Sequence, residues 1–176
     1  MLFRSGYALI GLAAGTIEGV QGVLIYMAIY VTMTLGAFAV VLSMRRAAGL
    51  VETIDQLAGL ARTNPTMAFF LAMLLFSMAG VPPLAGFFAK FYVFLAAIKA
   101  GLYVLAVIGV VTSVVVAYYY LAIVKLMYFD EPAGKFEQMP YELRVVLAIC
   151  GLFNIFFFLY PAPLVGIASA AAHSLF

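Results

Sequence analysis

Apolar residues run along this chain in long blocks, and polar residues gather in the short intervals between them. The pattern predicts helices at about 5–15, 20–44, 66–81, 84–99, 102–129 and 143–160. A helix rises about 1.5 Å per residue, so crossing a hydrocarbon core of about 30 Å takes roughly 20 apolar residues. The blocks at 20–44 and 102–129 exceed that length, and the first block falls well short of it. It follows Arg4 directly, without the basic region and cleavage site of a secretory leader. It reads as the tail of a helix, and the chain as the C-terminal part of something longer.

The intervals carry their own signals. Gly15-Thr16-Ile17-Glu18-Gly19 is a turn, and Arg45-Arg46 ends the second block. On that block Ala28, Thr32, Gly36 and Ala39 recur at close to helical spacing, a pattern that permits close packing in lipid. Over 50–62, Leu50, Ile54, Leu57 and Ala61 form one stripe with Glu52, Asp55, Gln56 and Arg62 elsewhere, which predicts a short amphipathic helix at the interface. Asn64-Pro65 suits a helix start, because proline is tolerated in a first turn. Gly101 is a turn, 130–134 a loop, and Pro161-Ala162-Pro163 closes the last span.

One interval lies where it should not. Gly80-Val81-Pro82-Pro83 interrupts an apolar stretch whose halves are each short for a crossing and together long for one. The pair is either a hairpin of two short spans or one crossing by a discontinuous helix. Charge placement favours the single crossing. It puts Arg45, Arg46, Arg62, Lys125, Lys135 and Arg144 on one side, the cytoplasmic one, and leaves Lys99 and Arg4 opposite.

Composition agrees: 68% of the 176 residues are hydrophobic, 9% are charged, and mean hydropathy is +1.20. A soluble domain is nearer half apolar and about a quarter charged, so the solvent for this surface is lipid. The sequence reads as an all-α polytopic membrane protein. It has about five transmembrane elements, including one discontinuous helix and one partial N-terminal helix. The net charge of +2, without a basic run, points away from nucleic acid. Cys150 stands alone in an apolar block and can build neither disulfide nor metal framework by itself.

Lys90 is the candidate working residue. Between Thr66 and Ile98 it is the only ionisable side chain apart from the Tyr92 phenol. Pro83, Gly86 and Ala97 share its helical face and leave room beside the amine, while Phe87 and Phe94 keep it dry. A charge inside a span is costly, which makes function the default reading. Lysine can accept and release a proton in such a place, and arginine cannot. The break at Gly80, Pro82, Pro83 and Gly86 stands a turn or two away. Interrupted backbone at membrane depth survives only where protein or water lines it, and in transporters it marks ion sites.

Other polar groups are weaker candidates. Ser77, Tyr118, Tyr119 and Tyr120 could line a polar path, as could Thr112, Ser113 and Asn154, though such groups commonly satisfy a neighbouring helix. His173 lies close to the C-terminus. The spans carry no carboxylate, so a charged partner for Lys90 must come from elsewhere. A Gly-rich nucleotide loop, a cysteine cluster and a haem-ligand pair are all absent, so no metal or redox cofactor is expected in this chain.

The segment Gly80-Val81-Pro82-Pro83-Leu84-Ala85-Gly86-Phe87-Phe88-Ala89-Lys90-Phe91-Tyr92 resembles the signature of the antiporter-like subunits of respiratory complex I, the proton-translocating NADH-quinone oxidoreductase. Ser5-Gly6-Tyr7-Ala8-Leu9-Ile10-Gly11, Tyr26-Met27-Ala28-Ile29-Tyr30 and Leu35-Gly36-Ala37-Phe38 resemble helices of the same family. Tyr118-Tyr119-Tyr120-Leu121 and Tyr128-Phe129 resemble its subunit N branch more than the L and M branches. The likeness covers nearly the whole chain, as the last third or so of a longer subunit. It departs at Arg4, where the family usually has histidine.

The resemblance implies a discontinuous helix with a proton-channel lysine at Lys90. It implies a multi-pass subunit in the inner (plasma) membrane of a bacterial cell, packed against other membrane-arm subunits of complex I. NADH, FMN, iron–sulfur clusters and quinone would belong to partner subunits, and the family's other pumping groups would lie upstream. Competing readings are a subunit of a multi-subunit cation/proton antiporter, against which the tyrosine run argues, and a passive membrane scaffold.

Overall fold

The computed structural model describes the backbone of residues 2–46, 49–50 and 53–175, and no side chains at 2–4, 46 or 49–50. Helix α1 covers Leu2–Ala13 and α2 covers Ile17–Ser43. Between them Gly15 supplies a positive φ of 62°, and Thr16 caps α2 by accepting from Gly19 N at 3.1 Å. Strand β1 (Arg45–Arg46) pairs antiparallel with β2 (Gly49–Leu50). A 3-10 turn at Ile54–Leu57 and the single turn of α3 (Leu60–Thr63) follow. Then come α4 (Pro65–Ala79), α5 (Ala85–Lys99), α6 (Tyr103–Phe129), α7 (Tyr141–Phe156) and α8 (Ala162–His173).

Side-chain pairings along α2 decide how the chain crosses. Ser43 meets Met67, Gly36 meets Leu74, Met33 meets Ser77, and Gly22 meets Tyr92. Partner numbers thus rise steadily as α2 is followed back from its C-terminus. Helices α4 and α5 therefore lie end to end along α2, antiparallel to it, and share one crossing; a hairpin would have set them side by side. Helix α6 repeats the order on another side, with Gly109 against Phe94, Ser113 bonded to Lys90, and Leu126 O accepting from Gly59 N. Each half is 15 residues, about 22 Å at 1.5 Å per residue, and neither alone spans hydrocarbon.

The chain ends sort as the single crossing requires. Glu137 N donates to Arg45 O at 2.9 Å and Ala133 N to Ala58 O at 3.1 Å, which joins the 45–64 and 129–140 segments at one end. Arg45, Arg62, Lys125, Lys135 and Arg144 gather there. Lys99 sits at the other end beside Glu18 and Gln21. The side chains of Arg4 and Arg46 lie outside the described residues.

Two local expectations give way. Among the described residues, 53–62 form no continuous helix, since the 3-10 turn at Ile54–Leu57 and the single turn of α3 stand in its place. Gly59 adopts φ +63°, its N–H bonds Leu126 O at 3.1 Å, and a Cβ there would meet the backbone of Pro132. The loop after α6 thus dictates the path, and the amphipathic stripe is split: Leu57 is buried and Ile54 is 55% exposed. Glu52 and the side chain of Leu50 lie outside the described residues. The second difference is α8, which begins where the prolines predict an end. Pro163 falls in the first turn of α8, where its missing N–H would have had no intrahelical partner anyway.

The small-residue stripe on α2 also differs from its sequence reading. Of the stripe, Gly36 and Ala39 are buried, with Gly22, Ile25, Ile29, Met33 and Val40 beside them, whereas Ala28 and Thr32 are only half-buried. Close approach falls where the Cβ is missing. A Cβ on Gly36 would stand 2.8 Å from Leu74 Cδ1 and 3.0 Å from Cys150 Cβ. The apolar core has two parts that meet at the break. One joins α1, α2, α5 and α8, and the other joins α2, α4, α7 and the basic-end segments.

Candidate functional site at the broken helix

Helix α4 ends because Gly80 turns left-handed, at φ +92°. Its N–H donates to Ser77 O at 3.0 Å, and Val81 N donates to Phe76 O at 3.0 Å. These two bonds are the Schellman pattern, which consumes carbonyls that a helix C-terminus would otherwise leave free. Pro82 and Pro83 have no N–H to satisfy. Leu84 N donates to Val81 O, Phe87 N to Leu84 O, and Gly86 N to the Ser77 hydroxyl at 2.9 Å. The interruption therefore satisfies most of its donors from within the chain.

Lys90, one turn into α5, reaches back across this interruption. Its Nζ donates to Ala79 O at 3.0 Å and to the Ser113 Oγ of α6 at 2.6 Å. The amine also stands 5.3 Å from the centre of the Tyr7 ring on α1. Ala79 O belongs to the last turn of α4, where the helix dipole favours a cation. The half-buried ammonium is thus held by a helix end, a hydroxyl and an aromatic face. Carboxylates are absent from 19–51 and from 66–129, so the acceptors that surround it on these helices are neutral.

Two spaces flank the amine. A cleft of about 410 Å³ between α5 and α6 is walled by Phe87, Phe91, Phe94, Ile98, Val110 and Val114. On the other side an enclosed space of about 10 Å³ lies among Tyr7, Tyr26, Tyr30, Met33 and Gly86, about the room one water needs. Gly80 and Gly86 shape both. A Cβ at Gly80 would stand 3.3 Å from the amine, and one at Gly86 would collide with the carbonyl of Ser77.

Behind the break lies a second polar group. Ser77 and Asn154 are both 0% exposed. The Ser77 hydroxyl donates to Asn154 Oδ1 at 2.7 Å, and Asn154 Nδ2 donates to Cys150 O at 2.9 Å. Met33 Sδ lies 3.1 Å from the same hydroxyl.

Of the sequence candidates, Lys90, Ser113, Ser77, Asn154 and the break are brought together. Tyr118 and Tyr119 are not: they are 71% and 64% exposed on the face of α6 opposite the one that carries Ser113 and Tyr120. The 100° step between helical residues turns neighbours in sequence away from one another, and only Tyr120 of the run packs inward. Thr112 is turned to its own helix and donates to Ile108 O at 2.7 Å. Sequence reading missed Tyr7 and the Ala79 carbonyl as partners of the amine. Tyr7 lies in the family-like segment at 5–11, the one signal that pointed at it. Among the described residues no group of three His, Cys, Asp or Glu could hold a metal ion.

An all-α polytopic membrane protein with one interrupted crossing, and a lysine bonded across the interruption, is the class this architecture defines. Residues 4–116 match the family described as NADH:quinone oxidoreductase/Mrp antiporter, TM, and the chain belongs to that family. It is 66% identical over 171 residues to NADH-quinone oxidoreductase subunit N of Methylobacterium nodulans, covering 97% of this chain and 36% of the relative. The chain thus spans about a third of the length of the curated relatives it matches. It is similar to a chain of respiratory complex I from Thermus thermophilus, solved with bound aureothin. That match has a TM-score of 0.76 and 30% identity, covering 91% of this chain and 36% of that one. The Mrp complex from Dietzia sp. DQ12-45-1b gives a TM-score of 0.83 at 20% identity, covering 96% and 40%, a likeness of fold alone.

Proposed function

We propose that this chain is part of a subunit N of NADH-quinone oxidoreductase, and that Lys90 carries protons through it as electrons pass from NADH to quinone. The single observation that carries the reading is the bonding of the Lys90 amine across the helix break. An ammonium held by a carbonyl and a hydroxyl, with no carboxylate on its helices, can give up its proton without leaving an unpaired negative charge behind. The protein works in the plasma membrane of a bacterium, packed against other membrane-arm subunits. NADH, FMN, iron–sulfur clusters and quinone belong to partner subunits. The antiporter reading has only the shared fold behind it.

Lys90→Met tests the role, made in the full-length subunit within the assembled complex. Methionine keeps much of the stem's volume and removes the exchangeable proton. Proton pumping by inverted membrane vesicles should fall severalfold relative to NADH oxidation, with the complex still assembled. Pumping at the wild-type ratio would end the proposal.

A further inference from the structure

We infer that Asn154, on α7, is a positioning residue for Lys90: it fixes the Ser77 hydroxyl that anchors the first turn of α5. The inference rests on the reading of Lys90 as a proton carrier. Its physical basis is the hydrogen-bond polarity of three buried groups.

A hydroxyl has one proton to give. At Ser77 the nearer and stronger acceptor is Asn154 Oδ1 at 2.7 Å, against Met33 Sδ at 3.1 Å. Donation to Asn154 turns the oxygen lone pairs toward Gly86 N–H, which donates to them at 2.9 Å. The Asn154 amide cannot flip without loss, because its Nδ2 donates to Cys150 O at 2.9 Å. A flipped amide would set Oδ1 against that carbonyl, two acceptors face to face. The direction of the whole chain of bonds is therefore set from α7.

Lys90 is coupled to this chain of bonds by its place on α5. Gly86 precedes it by four residues, on the same helical face. Ala79 follows Ser77 by two residues, on the last turn of α4. Two rungs thus tie the helices across the break, Gly86 N to Ser77 Oγ and Lys90 Nζ to Ala79 O. Releasing the first lets the start of α5 move against α4 and changes the second. The titratable side chains that share the enclosed space with the amine are Tyr7, Tyr26 and Tyr30, from α1 and α2. Helix α4 and the part of α6 beside the amine bring none; on α7 Cys150 packs on Gly36, and Tyr141, Glu142 and Arg144 stand in its first turn at the basic end.

The test uses the full-length subunit in the assembled complex, with proton pumping and NADH oxidation followed across the neutral pH range. Asn154→Leu keeps the side chain's size and removes both polar atoms. It should displace the pH profile of pumping by at least about half a unit, the order of change one altered hydrogen bond gives an ionising group. In a Ser77→Ala background the same substitution should displace it no further, since both act through one hydroxyl. If Asn154→Leu does not assemble, Ser77→Cys, a near-isosteric and weaker acceptor, should show the displaced profile. A wild-type profile in an assembled Asn154→Leu or Ser77→Cys complex would overturn the inference. So would additive shifts in the double variant. Normal pumping by Lys90→Met would instead remove the reading beneath it, so the two failures are distinguishable.

Discussion

Helices α2 and α6 are each 27 residues long, almost equally apolar, and each long enough to cross a bilayer. Their places in the molecule are opposite. Ten residues of α2 are buried and it packs against α1, α4, α5, α7 and α8; only Ala106, Gly109 and Met127 of α6 are buried. The difference lies in what is missing from the side chains. Gly22 lets the backbone of Tyr92 approach to where a Cβ would be 3.2 Å from its carbonyl oxygen, and Gly36 admits Leu74 and Cys150 together. On α6 the valines at 104, 107, 111, 114 and 115 hold the outer face open. Apolarity puts a helix in the bilayer, and the absence of a Cβ at the right positions makes it the hub. Lys90 lies between these two helices, its own helix packed on α2 and its amine bonded to α6.

The contrast predicts unequal sensitivity, greatest on α2. Gly36→Leu should damage the protein more than any substitution on α6. Its first added carbon already stands within 3.0 Å of Cys150 Cβ and closer to Leu74, and further carbons would have to force α7 or α4 away. Overpacking of this kind costs about 1–3 kcal/mol or more. The amount of assembled complex in membranes, and its melting temperature, should both fall. An unchanged melting temperature would mean that α2 is not a tightly packed hub.

Ser113 is the α6 side chain bonded to the Lys90 amine, and it should matter to function more than to stability. Ser113→Ala removes the 2.6 Å acceptor of the Lys90 amine and leaves the Ala79 carbonyl in place. A hydrogen bond to a charged group contributes about 1.5–3 kcal/mol when buried, and half-burial here lowers that to roughly 1 kcal/mol. The pumping rate should drop about three- to tenfold at unchanged NADH oxidation, by 1.4 kcal/mol per tenfold, and Ser113→Thr should restore most of it. Loss with both variants would show that space, and not the hydroxyl, is what α6 supplies.

How much of this was legible in the sequence follows from what periodicity can carry. The apolar blocks, the interruption at Gly80-Val81-Pro82-Pro83 and the lone Lys90 are local features, and each is where the pattern puts it. The single crossing was legible through the basic residues, because charge sorts by side even when contacts are unknown. The partners of the amine were not. Ser113 lies 23 residues from Lys90, and the Ser77–Asn154 bond spans 77, distances at which no spacing rule operates. Helix α8 was hidden because prolines at a helix start and past a helix end look alike in one dimension. The described part of the amphipathic segment, 53–62, differs for another reason: a stripe of apolar residues was overruled by a tertiary bond from Gly59 to the end of α6.

The smallest effect is expected where sequence reading had placed a polar path. Tyr118 turns outward from α6, 71% exposed, and its ring meets that of Tyr119 at 5.8 Å in an edge-on pair. Tyr120, two residues on, packs into both core clusters. Ser113 and Tyr120 are seven residues apart, two turns of one face, whereas Tyr118 sits about 140° around the helix from Ser113. Removing its hydroxyl should therefore leave the Lys90 site unaltered. Tyr118→Phe keeps the ring and deletes only the oxygen, so pumping and its pH profile should match the wild type, with stability within about 0.5 kcal/mol. A pumping defect of the size expected for Ser113→Ala would mean that protons leave Lys90 across the outer face of α6. The two faces of that helix would then have exchanged roles.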